Sequence, residues 1–393
     1  MNTMINMLAG AVLFAGVVGF GYCASPQTKD KNDYYVVANI WAPYHDDPIN
    51  RKIWPEGIGE WEVVKKAVPG YDGHYQPKVP FWGYEMDNDP KVVERWIDVA
   101  VDHGINVFLY DWYWYNEGPF LESAINDGFL KAKNNEKMYF YVMWANHDMP
   151  MSTLNPHLFT NENNVVWSAK VDWKNWTIIV DRTIKQYFQK PNYFRIDGKP
   201  VFAVYFLDEL IRTFENAEGV RKALDYFDAE AKKAGFPGVH FQLSGGVWTA
   251  EKYVDTVKTM GFSSVVPLTM GGADRDYIKY GTNSMEIRDR LDKALNIPFF
   301  PCVSIAYDES PRFLDQKEER GGRFNRSPQT FAMFLAKAKE WVDNHPDPAR
   351  PKLLLINAWS EWAEDCYLLP DMKYGFGYLE AVKDVMNGKY DSR

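Results

Sequence analysis

The chain has 393 residues, of which 46% are hydrophobic and 25% charged, so it is expected to fold around a sizeable core and not to be disordered over most of its length. Its net charge of -9 argues against nucleic acid as a partner, because proteins that bind nucleic acid normally present a basic surface to the phosphates. Aromatic residues make up 16% of the chain and include 15 tryptophans, and such rings suit sugar faces as well as protein cores.

The N-terminal segment has the pattern of an export signal. Residues 1–24 hold an apolar run of signal-peptide length that ends in small residues, although Lys and Arg are missing before it, and residues 25–33 form a polar spacer. The run is short for a membrane span, so no stable membrane insertion is expected after cleavage. We predict export to the periplasm or the cell surface over retention in the cytoplasm. A lipid anchor on Cys23 is less favoured, because Tyr22 stands where a small residue is expected.

Eight strand-like segments then alternate with helix-like ones. Most are near-continuous apolar runs, as expected of parallel strands buried on both faces. In chain order they are YYVVANIW (34–41), INVFLYDWYW (105–114), MYFYVMWAN (138–146), PVFAVYF (200–206), VHFQLSG (239–245), SSVVPLTM (263–270), FFPCVSIAY (299–307) and KLLLINAW (352–359).

The segments between these strands carry helical patterns. Residues 89–104 place Trp96, Val99 and Ala100 at helical spacing, and residues 327–345 begin with Ser327 as a cap. The alternation predicts an α/β fold, a (β/α)8 TIM barrel, formed as a single domain over residues 34–388 with a long first βα loop. A doubly wound open sheet is the alternative, but no GxGxxG follows the first strand.

Two cysteines follow the N-terminal segment, Cys302 and Cys366. The first lies early in one apolar run and the second well past the end of the next. At about 3.3 Å per residue this stagger exceeds the reach of a disulfide, so we predict two free thiols. No Cys/His cluster has zinc spacing, and the sequence predicts neither a metal nor a cofactor.

Polar and aromatic residues collect after the predicted strands, whereas the opposite strand ends carry turns such as DHG and IDGKP. Barrel enzymes place their chemistry where strands end and βα loops begin, so we predict an active site there. The residues expected to bind sugar on this argument are Tyr44, His45, Asp111, Trp112, Tyr307, Asp308 and Trp359.

Several neighbouring residues have two interpretations. His45 could stabilise its own loop, and Tyr113 and Trp114 could belong to the core. Arg312 could pair with a nearby acid. The first loop could cover the site or be a structural lid; its residues of interest are Glu60, Trp61, His74 and Gln76.

The stretch INAWSEWAED (356–365) holds Glu361 and Glu364 three residues apart. On a helix such residues share a face with Cβ atoms about 5 to 6 Å apart, which fits the roughly 5 to 5.5 Å pairs of retaining glycosidases better than the wider inverting pairs. Each acid also opposes the other's ionisation, which raises one pKa and separates an acid from a base. A solvated helix start that carries acids is the alternative, and spacing alone favours it.

Residues 356–382, INAWSEWAEDCYLLPDMKYGFGYLEAV, resemble the C-terminal signature of the WbsX-like proteins, which are similar to the family 99 glycoside hydrolases, the endo-α-mannosidase family. The resemblance extends over about residues 34–388. The segments that agree in order are YHDDPIN, GIGEWEVVKKAVPGYDGHYQPKVPFWGY, GINVFLYDWYWY, WAN, NYFRIDGKPVFAVY and YDESPR. The WAN motif adds Trp144 and Asn146 to the expected sugar-binding residues. The chain departs from the family at Ser360, which replaces Asn, at Asp365, which replaces Gly, and at His147, which replaces Glu.

The resemblance implies a barrel that acts with retention on α-linked glycans, α-mannosides or related, so an oligo- or polysaccharide is the expected partner. It also implies the roles of the two acids. Glu361 would act as the base on the sugar 2-hydroxyl, which displaces the aglycone to give a 1,2-anhydro sugar. Glu364 would protonate the leaving oxygen and later activate water.

Two other functions remain open. The first is a WbsX-like glycosyltransferase in polysaccharide synthesis, which would need an Asp-x-Asp, a basic cluster or a glycine-rich loop to neutralise a sugar diphosphate. DWYWY offers none of these, and GGADRD (271–276) has a single Asp-x-Asp. The second is a carbohydrate-binding protein that has lost catalysis.

Overall fold

The structure is a computed structural model. It describes residues 34–390 except residues 151–153, 159–164, 246, 273, 315–321 and 348–349. The predicted export signal with its Cys23 lies outside the described residues, and so do residues 391–393 of the short tail, residues 389–393, that is predicted to follow the barrel.

The centre of the fold is a parallel sheet whose main path has eight strands, and each of them overlaps one of the predicted segments, with two strands extending one residue beyond theirs. The strands are β1 (Tyr35–Ile40), β2 (Val107–Tyr115), β3 (Tyr139–Trp144), β4 (Lys199–Val204), β5 (His240–Leu243), β6 (Ser264–Val265), β7 (Cys302–Ser304) and β8 (Leu353–Asn357).

The order of these strands makes the fold TIM-barrel-like. Strands β1 to β6 pair in parallel in chain order, β7 pairs with β8, and β8 returns to pair with β1. An isolated parallel bridge from Val265 to Phe299 joins β6 to the segment that leads into β7. The predicted α/β barrel is confirmed, and the doubly wound open sheet is excluded. Almost every residue of these strands is buried, as their apolar runs predicted.

Helices connect the strands. They are α1 (Trp61–Lys66), α2 (Pro90–Asp102), α3 (Trp173–Arg182), α4 (Leu207–Phe214), α5 (Ala217–Lys233), α6 (Val247–Lys252), α7 (Tyr277–Ala294), α8 (Pro328–Asn344) and α9 (Gly377–Met386). Short antiparallel strands are Gly118–Phe120, Met149–Pro150, Val165–Trp167, Arg195–Ile196, Ser360–Glu361 and Cys366–Tyr367.

Both helices predicted from sequence patterns are present with the expected start signals. The Asp89 side chain accepts a hydrogen bond from the backbone N–H of Lys91 at the start of α2, and Ser327 forms a reciprocal capping box with Thr330 at the start of α8. The buried side of α2 includes Trp96 and Ala100. The predicted helical face therefore packs on the barrel.

The long first βα loop folds back over the end of β1. Gly59 makes this possible, because a Cβ on it would lie 1.8 Å from the carbonyl oxygen of Pro43. The next N–H, from Glu60, donates to that same carbonyl at 3.1 Å. Asp87 at the far end of the loop accepts from the backbone N–H of Tyr44 at 2.8 Å. These contacts bring Glu60 to the carboxyl ends of the strands.

Cys302 and Cys366 are both free thiols. Their Sγ atoms donate to the backbone carbonyls of Leu268 and Ala306, at 3.0 and 2.8 Å. None of the helices in the described part of the chain is long and apolar enough to cross a membrane.

Candidate active site

The two glutamates lie in a tight loop and not in the helix start that their spacing predicted. Ser360–Glu361 pairs antiparallel with Cys366–Tyr367, and a 3-10 turn at Trp362–Glu364 lies between these short strands. Asp365 reverses the chain with φ 60 and ψ 16, in the left-handed region. Cross-strand pairing and a reversed backbone, not helical periodicity, therefore position the two carboxylates.

Asp365 occupies its left-handed conformation with two buried cations around its carboxylate. Its Oδ1 atom lies 2.9 Å from the Nζ atom of Lys78, and its Oδ2 atom contacts a guanidinium nitrogen of Arg326. Asp adopts this backbone region more readily than most residues, although less readily than Gly. The ion pairs show how an acid is held at this position, where the resemblance implies a glycine.

Both glutamates face a cavity of about 290 Å³ at the carboxyl ends of the strands. Its wall includes a third acid, Asp111, from β2. The remaining lining residues come from almost every strand end: Trp41, Tyr113, Met143, Ala145, His147, Asp148, Met149, Leu154, Tyr205, Phe206, Leu268, Thr269 and Arg312.

Arg312 connects the acids of the site. It lies in the turn after β7, where its Nη1 atom contacts Glu364 and its Nη2 atom lies 3.8 Å from Glu361. Its Nε and Nη2 atoms also lie 3.0 and 2.9 Å from the Oε1 atom of Glu60. One guanidinium therefore reaches both glutamates of the loop after β8 and a third from the first loop.

Glu60 is completely buried and holds the guanidinium in place. Its Oε2 atom accepts hydrogen bonds from the indole of Trp41 at 2.7 Å and from the hydroxyl of Tyr44 at 3.3 Å. The Tyr44 hydroxyl in turn accepts from the backbone N–H of Trp362 at 3.0 Å. Three loops thus share one buried polar network.

The electrostatic surroundings of the two glutamates differ. Burial raises the pKa of Glu361 well above its ordinary value, the charge of Glu364 raises it further, and Arg312 opposes the shift only from a distance. Burial also raises the pKa of Glu364, but there the contact with Arg312 opposes it directly. The pKa of Glu361 is therefore raised more strongly than that of Glu364, so of the two carboxyl groups Glu361 holds a proton more tightly.

Asp111 is also affected by its surroundings. Burial raises the pKa of this carboxyl to about 8; the Asn39 amide counteracts the shift, and the charge of Glu364 adds to it. At neutral pH the carboxyl is mainly protonated, so it can donate a hydrogen bond into the cavity.

Three tryptophans expected to bind sugar pack elsewhere. The Trp112 indole donates to Glu122 at 3.0 Å, behind the barrel wall, since side chains alternate along a strand and Asp111 points inward. Trp144 packs on Trp176 with ring centroids 5.6 Å apart. Trp359 is fully buried and packs against Phe108 and Trp96. None of the three lines the cavity.

Two other predicted residues position loops. Burial lowers the pKa of His45, but the charge and hydrogen bond of Asp87 outweigh it and the net shift is upward. The two side chains lie 2.6 Å apart with His45 fully buried, which fits its loop-stabilising interpretation. The Asn146 amide donates to the carbonyl of Phe206 and accepts from its N–H, both at 2.8 Å, so it fixes a cavity-lining residue without lining the cavity itself.

Tyr307 and Asp308 lie next to the loop after β8 but outside the cavity. The Tyr307 hydroxyl donates to Glu309 at 2.7 Å. Burial opposes ionisation of Asp308, yet hydrogen bonds from His74 and Ser310 and the charge of Lys78 lower its pKa to about 2. The backbone N–H of Asp308 donates to the carbonyl of Glu364 at 2.8 Å. These residues support the loop after β8 from outside.

Several lining residues escaped the sequence analysis. Trp41, Tyr205, Asp148 and Thr269 border the cavity, and all lie just beyond strand ends. Position after a strand was the available signal, but it does not reveal which of several consecutive side chains turns inward. Arg312, expected only to pair with an acid, pairs with the candidate catalytic acids themselves.

Comparisons with known proteins relate the chain to a family and to a fold. A family model described as Glycosyltransferase WbsX matches residues 36–382. Two curated relatives, each named uncharacterized protein WxcX, come from Xanthomonas campestris pv. campestris strains ATCC 33913 and B100. Each is 23% identical, over 407 and 403 residues, with 94% of this chain and 52% of the relative covered. The chain thus spans about half the length of the curated relatives it matches.

Solved structures with the same fold include glycoside hydrolases. The GH99 endo-α-mannosidase from Bacteroides thetaiotaomicron, in complex with bis-tris-propane, matches with a TM-score of 0.58 at 12% identity, covering 92% of this chain and 97% of that one. A glycoside hydrolase-like protein matches with a TM-score of 0.57 at 14% identity, covering 90% and 94%. At such identities the likeness establishes the fold.

Proposed function

The chain belongs to the WbsX family, and on that premise we propose that it is a glycoside hydrolase in which Glu361 and Glu364 cleave an α-linked glycan with retention. One observation carries the proposal. Two largely buried carboxyl groups with different electrostatic surroundings border one cavity at the carboxyl ends of a TIM-barrel-like sheet, and both lie close to one guanidinium. Catalysis by a proton donor and a proton acceptor needs such a pair.

The proposed retention follows from the closeness of the two acids. Both reach the same guanidinium, and retaining enzymes hold their carboxyl groups closer together than inverting ones, which need room for a water molecule. In the route that the resemblance implies, the base takes the proton of the 2-hydroxyl, and that oxygen attacks C1. The glycosidic bond then breaks, and the leaving oxygen takes the proton of the acid. Water later opens the anhydro ring.

The difference between the two pKa shifts favours the opposite order from that route. The pKa of Glu361, the implied base, is raised more strongly than that of Glu364, the implied acid, because the contact with Arg312 opposes the shift of Glu364. A substrate hydroxyl that displaces Glu364 from Arg312 would reverse the order, because the loss of that cation raises the pKa of Glu364. We propose that substrate binding makes this exchange.

The rest of the cavity suits a sugar. The rings of Trp41, Tyr113 and Tyr205 provide apolar faces, and the protonated Asp111 provides a hydrogen-bond donor. By its fold likeness to an endo-α-mannosidase, an α-mannoside or related α-glycoside is the proposed substrate.

A glycosyltransferase is less well supported at this cavity. Its lining carries the acids Asp111, Asp148, Glu361 and Glu364. Arg312 is already paired with acids, and an electronegative pocket disfavours a sugar diphosphate. Export, predicted from the sequence, would also separate the protein from nucleotide sugars in the cytoplasm.

Sugar release from a panel of α-mannans and complex polysaccharides tests the proposal. We expect release by the wild type and a loss of at least roughly 100-fold in Glu361→Gln and Glu364→Gln, since a positioned acid or base contributes about 10²–10⁴-fold. Glu340→Gln changes an exposed glutamate of α8 and serves as the control. Wild-type rates in either loop variant would rule the pair out.

A second substrate separates the two roles. An aryl α-glycoside with an acidic phenol needs no proton on its leaving oxygen. The variant that lacks the acid should therefore regain activity on this substrate, whereas the variant that lacks the base should remain inactive. Recovery by Glu364→Gln supports the order implied by the resemblance, whereas recovery by Glu361→Gln supports the reverse order, with Glu361 as the acid.

A further inference from the structure

A second cavity, of about 320 Å³, lies on the other side of the loop that carries Glu364. Asp308 forms the shared wall. Its side chain lines the second cavity, and its backbone N–H donates to the carbonyl of Glu364, whose side chain lines the first. The two cavities are therefore separated by little more than one layer of chain.

The charges around the second cavity are mainly positive, in a protein whose net charge is -9. Its lining acids are Asp72 and Asp308. The Asp308 carboxylate already has two basic partners, because the Nε2 atom of His74 lies 2.8 Å and the Nζ atom of Lys78 lies 3.9 Å from its Oδ2 atom. The lining cations are Arg275, Arg323, Arg326 and Lys373.

Two of the cations have no carboxylate partner among the residues that the structure describes. Arg326 pairs with Asp365. Within the described part of the chain, by contrast, no carboxylate lies within 4.0 Å of the charged nitrogens of Arg323 or Lys373. The Nε atom of Arg323 is buried and has no hydrogen-bond partner among the described residues. A buried N–H donor without an acceptor is costly, so an acceptor supplied by a ligand would be favourable here.

Aromatic rings hold both cations in position. The Arg323 guanidinium lies 3.7 Å from the ring centroid of Tyr280. The Lys373 ammonium lies 4.9 Å from the ring of Tyr75 and 5.0 Å from that of Tyr374. Ring contacts of this kind orient a cation without neutralising its charge. The rings of Tyr75 and Tyr374 also line the cavity, which thus combines aromatic faces with cations that have no carboxylate partner in the described part of the chain.

We propose that this second cavity binds an acidic sugar unit, with the sugar carboxylate between Arg323 and Lys373. A planar guanidinium donates two parallel hydrogen bonds to a carboxylate, and tyrosine rings pack on the apolar face of a pyranose. This inference depends on the proposed function in one respect: the acidic sugar unit is taken to be part of the glycan that the enzyme cleaves. The preferred substrate is then an acidic polysaccharide and not a neutral mannan.

Direct binding tests the inference without turnover. Trigalacturonate is titrated calorimetrically into Glu361→Gln protein, with its neutral methyl ester as the matched ligand. We expect the acid to bind about tenfold or more tightly than the ester, because charge-assisted hydrogen bonds are replaced by neutral ones, and we expect added salt to reduce the difference.

Variants assign the difference to this cavity. Arg323→Gln and Lys373→Gln, each in the same background, should bind acid and ester alike, and Lys373 is exposed, so its replacement leaves the fold intact. Lys222→Gln, an exposed lysine of α5, is the control and should keep the preference. Equal binding of acid and ester, or an unchanged preference in both cavity variants, would overturn the assignment.

A nucleoside diphosphate shares the oxyanion chemistry, so UDP is titrated in parallel. Tight binding of UDP that both cavity variants lose, with no binding of trigalacturonate, would refute the acidic sugar and favour a donor site. Different results would refute the proposed function and the acidic-sugar site. Binding of the acid without hydrolysis of any glycan would contradict only the proposed function, whereas hydrolysis of neutral glycans without charge preference would contradict only this inference.

Discussion

Asp111 combines an acidic side chain with a site that disfavours its charge. It lies inside the barrel at the end of β2, 7% exposed, and burial raises its pKa to about 8. A carboxyl whose pKa is higher in the folded than in the unfolded state binds its proton more tightly when folded. The free energy of unfolding therefore falls as the pH rises from about 4 to about 8, and then levels off.

Replacement of Asp111 by Asn should remove this dependence, because the amide keeps the shape and cannot ionise. We expect the melting temperature of Asp111→Asn to match that of the wild type near pH 4 and to exceed it increasingly up to about pH 8. Thermal unfolding across that range measures the difference. Asp255→Asn, at an exposed position, should follow the wild type throughout. Parallel curves for Asp111→Asn and wild type would show that the carboxyl titrates normally.

At the scale of one element, the loop after β8 depends on the balance between backbone conformation and ion pairing at Asp365. Glycine would adopt the positive φ with less strain, a gain of about 1 kcal/mol. Its introduction would also leave the buried cations Lys78 and Arg326 without their acid, and removal of one partner of a buried ion pair costs about 3–5 kcal/mol. Ion pairing therefore outweighs the backbone.

We accordingly expect Asp365→Gly to lower the free energy of unfolding by about 2 kcal/mol or more, as measured by urea denaturation. Asp197→Gly makes the same exchange at φ 51 in an exposed turn, where the change should stay within about 1 kcal/mol. If both variants changed stability equally, backbone conformation alone would govern this loop.

At the scale of the whole molecule, the free energy of local opening is expected to differ from one part of the sheet to another, because the strands differ in length. β1 and β8 share four register pairs, and β2 and β3 share six. Between β6 and β7 there is one isolated bridge, with hydrogen bonds from Val265 to Pro298 at 2.9 Å and from Phe300 to Val265 at 2.8 Å. Local opening favours regions with few backbone hydrogen bonds.

Hydrogen exchange should therefore be fastest at this seam. We expect the amides of Val265 and Phe300 to exchange about tenfold or more faster than those of Val37 and Leu355 in β1 and β8. Mass spectrometry of peptides that cover residues 264–266, 299–301 and 353–357 measures the rates. Equal protection in all three peptides would mean that the sheet opens only as a unit.

The sequence by itself determined the fold. Buried parallel strands must be apolar on both faces. The eight apolar runs from YYVVANIW to KLLLINAW can therefore be identified as strands from the sequence. It also determined the region of the site, since the carboxyl ends of all strands meet at one end of a barrel. The helix starts at Asp89 and Ser327 were readable because a side-chain cap is a local interaction.

Only the tertiary structure decided which side chains share the cavity. Glu60 and Arg312 are 252 residues apart in the chain, and nothing local to either predicts their contact. Trp112 and Asp111 are adjacent, yet they point to opposite faces of β2, and only the contacts that each makes in the folded barrel show which face lies inward. The loop at Glu361 had a spacing suited to a helix, but long-range pairs at Asp365 reverse the chain. Local patterns therefore encode elements, while contacts distant in sequence assemble the chemistry.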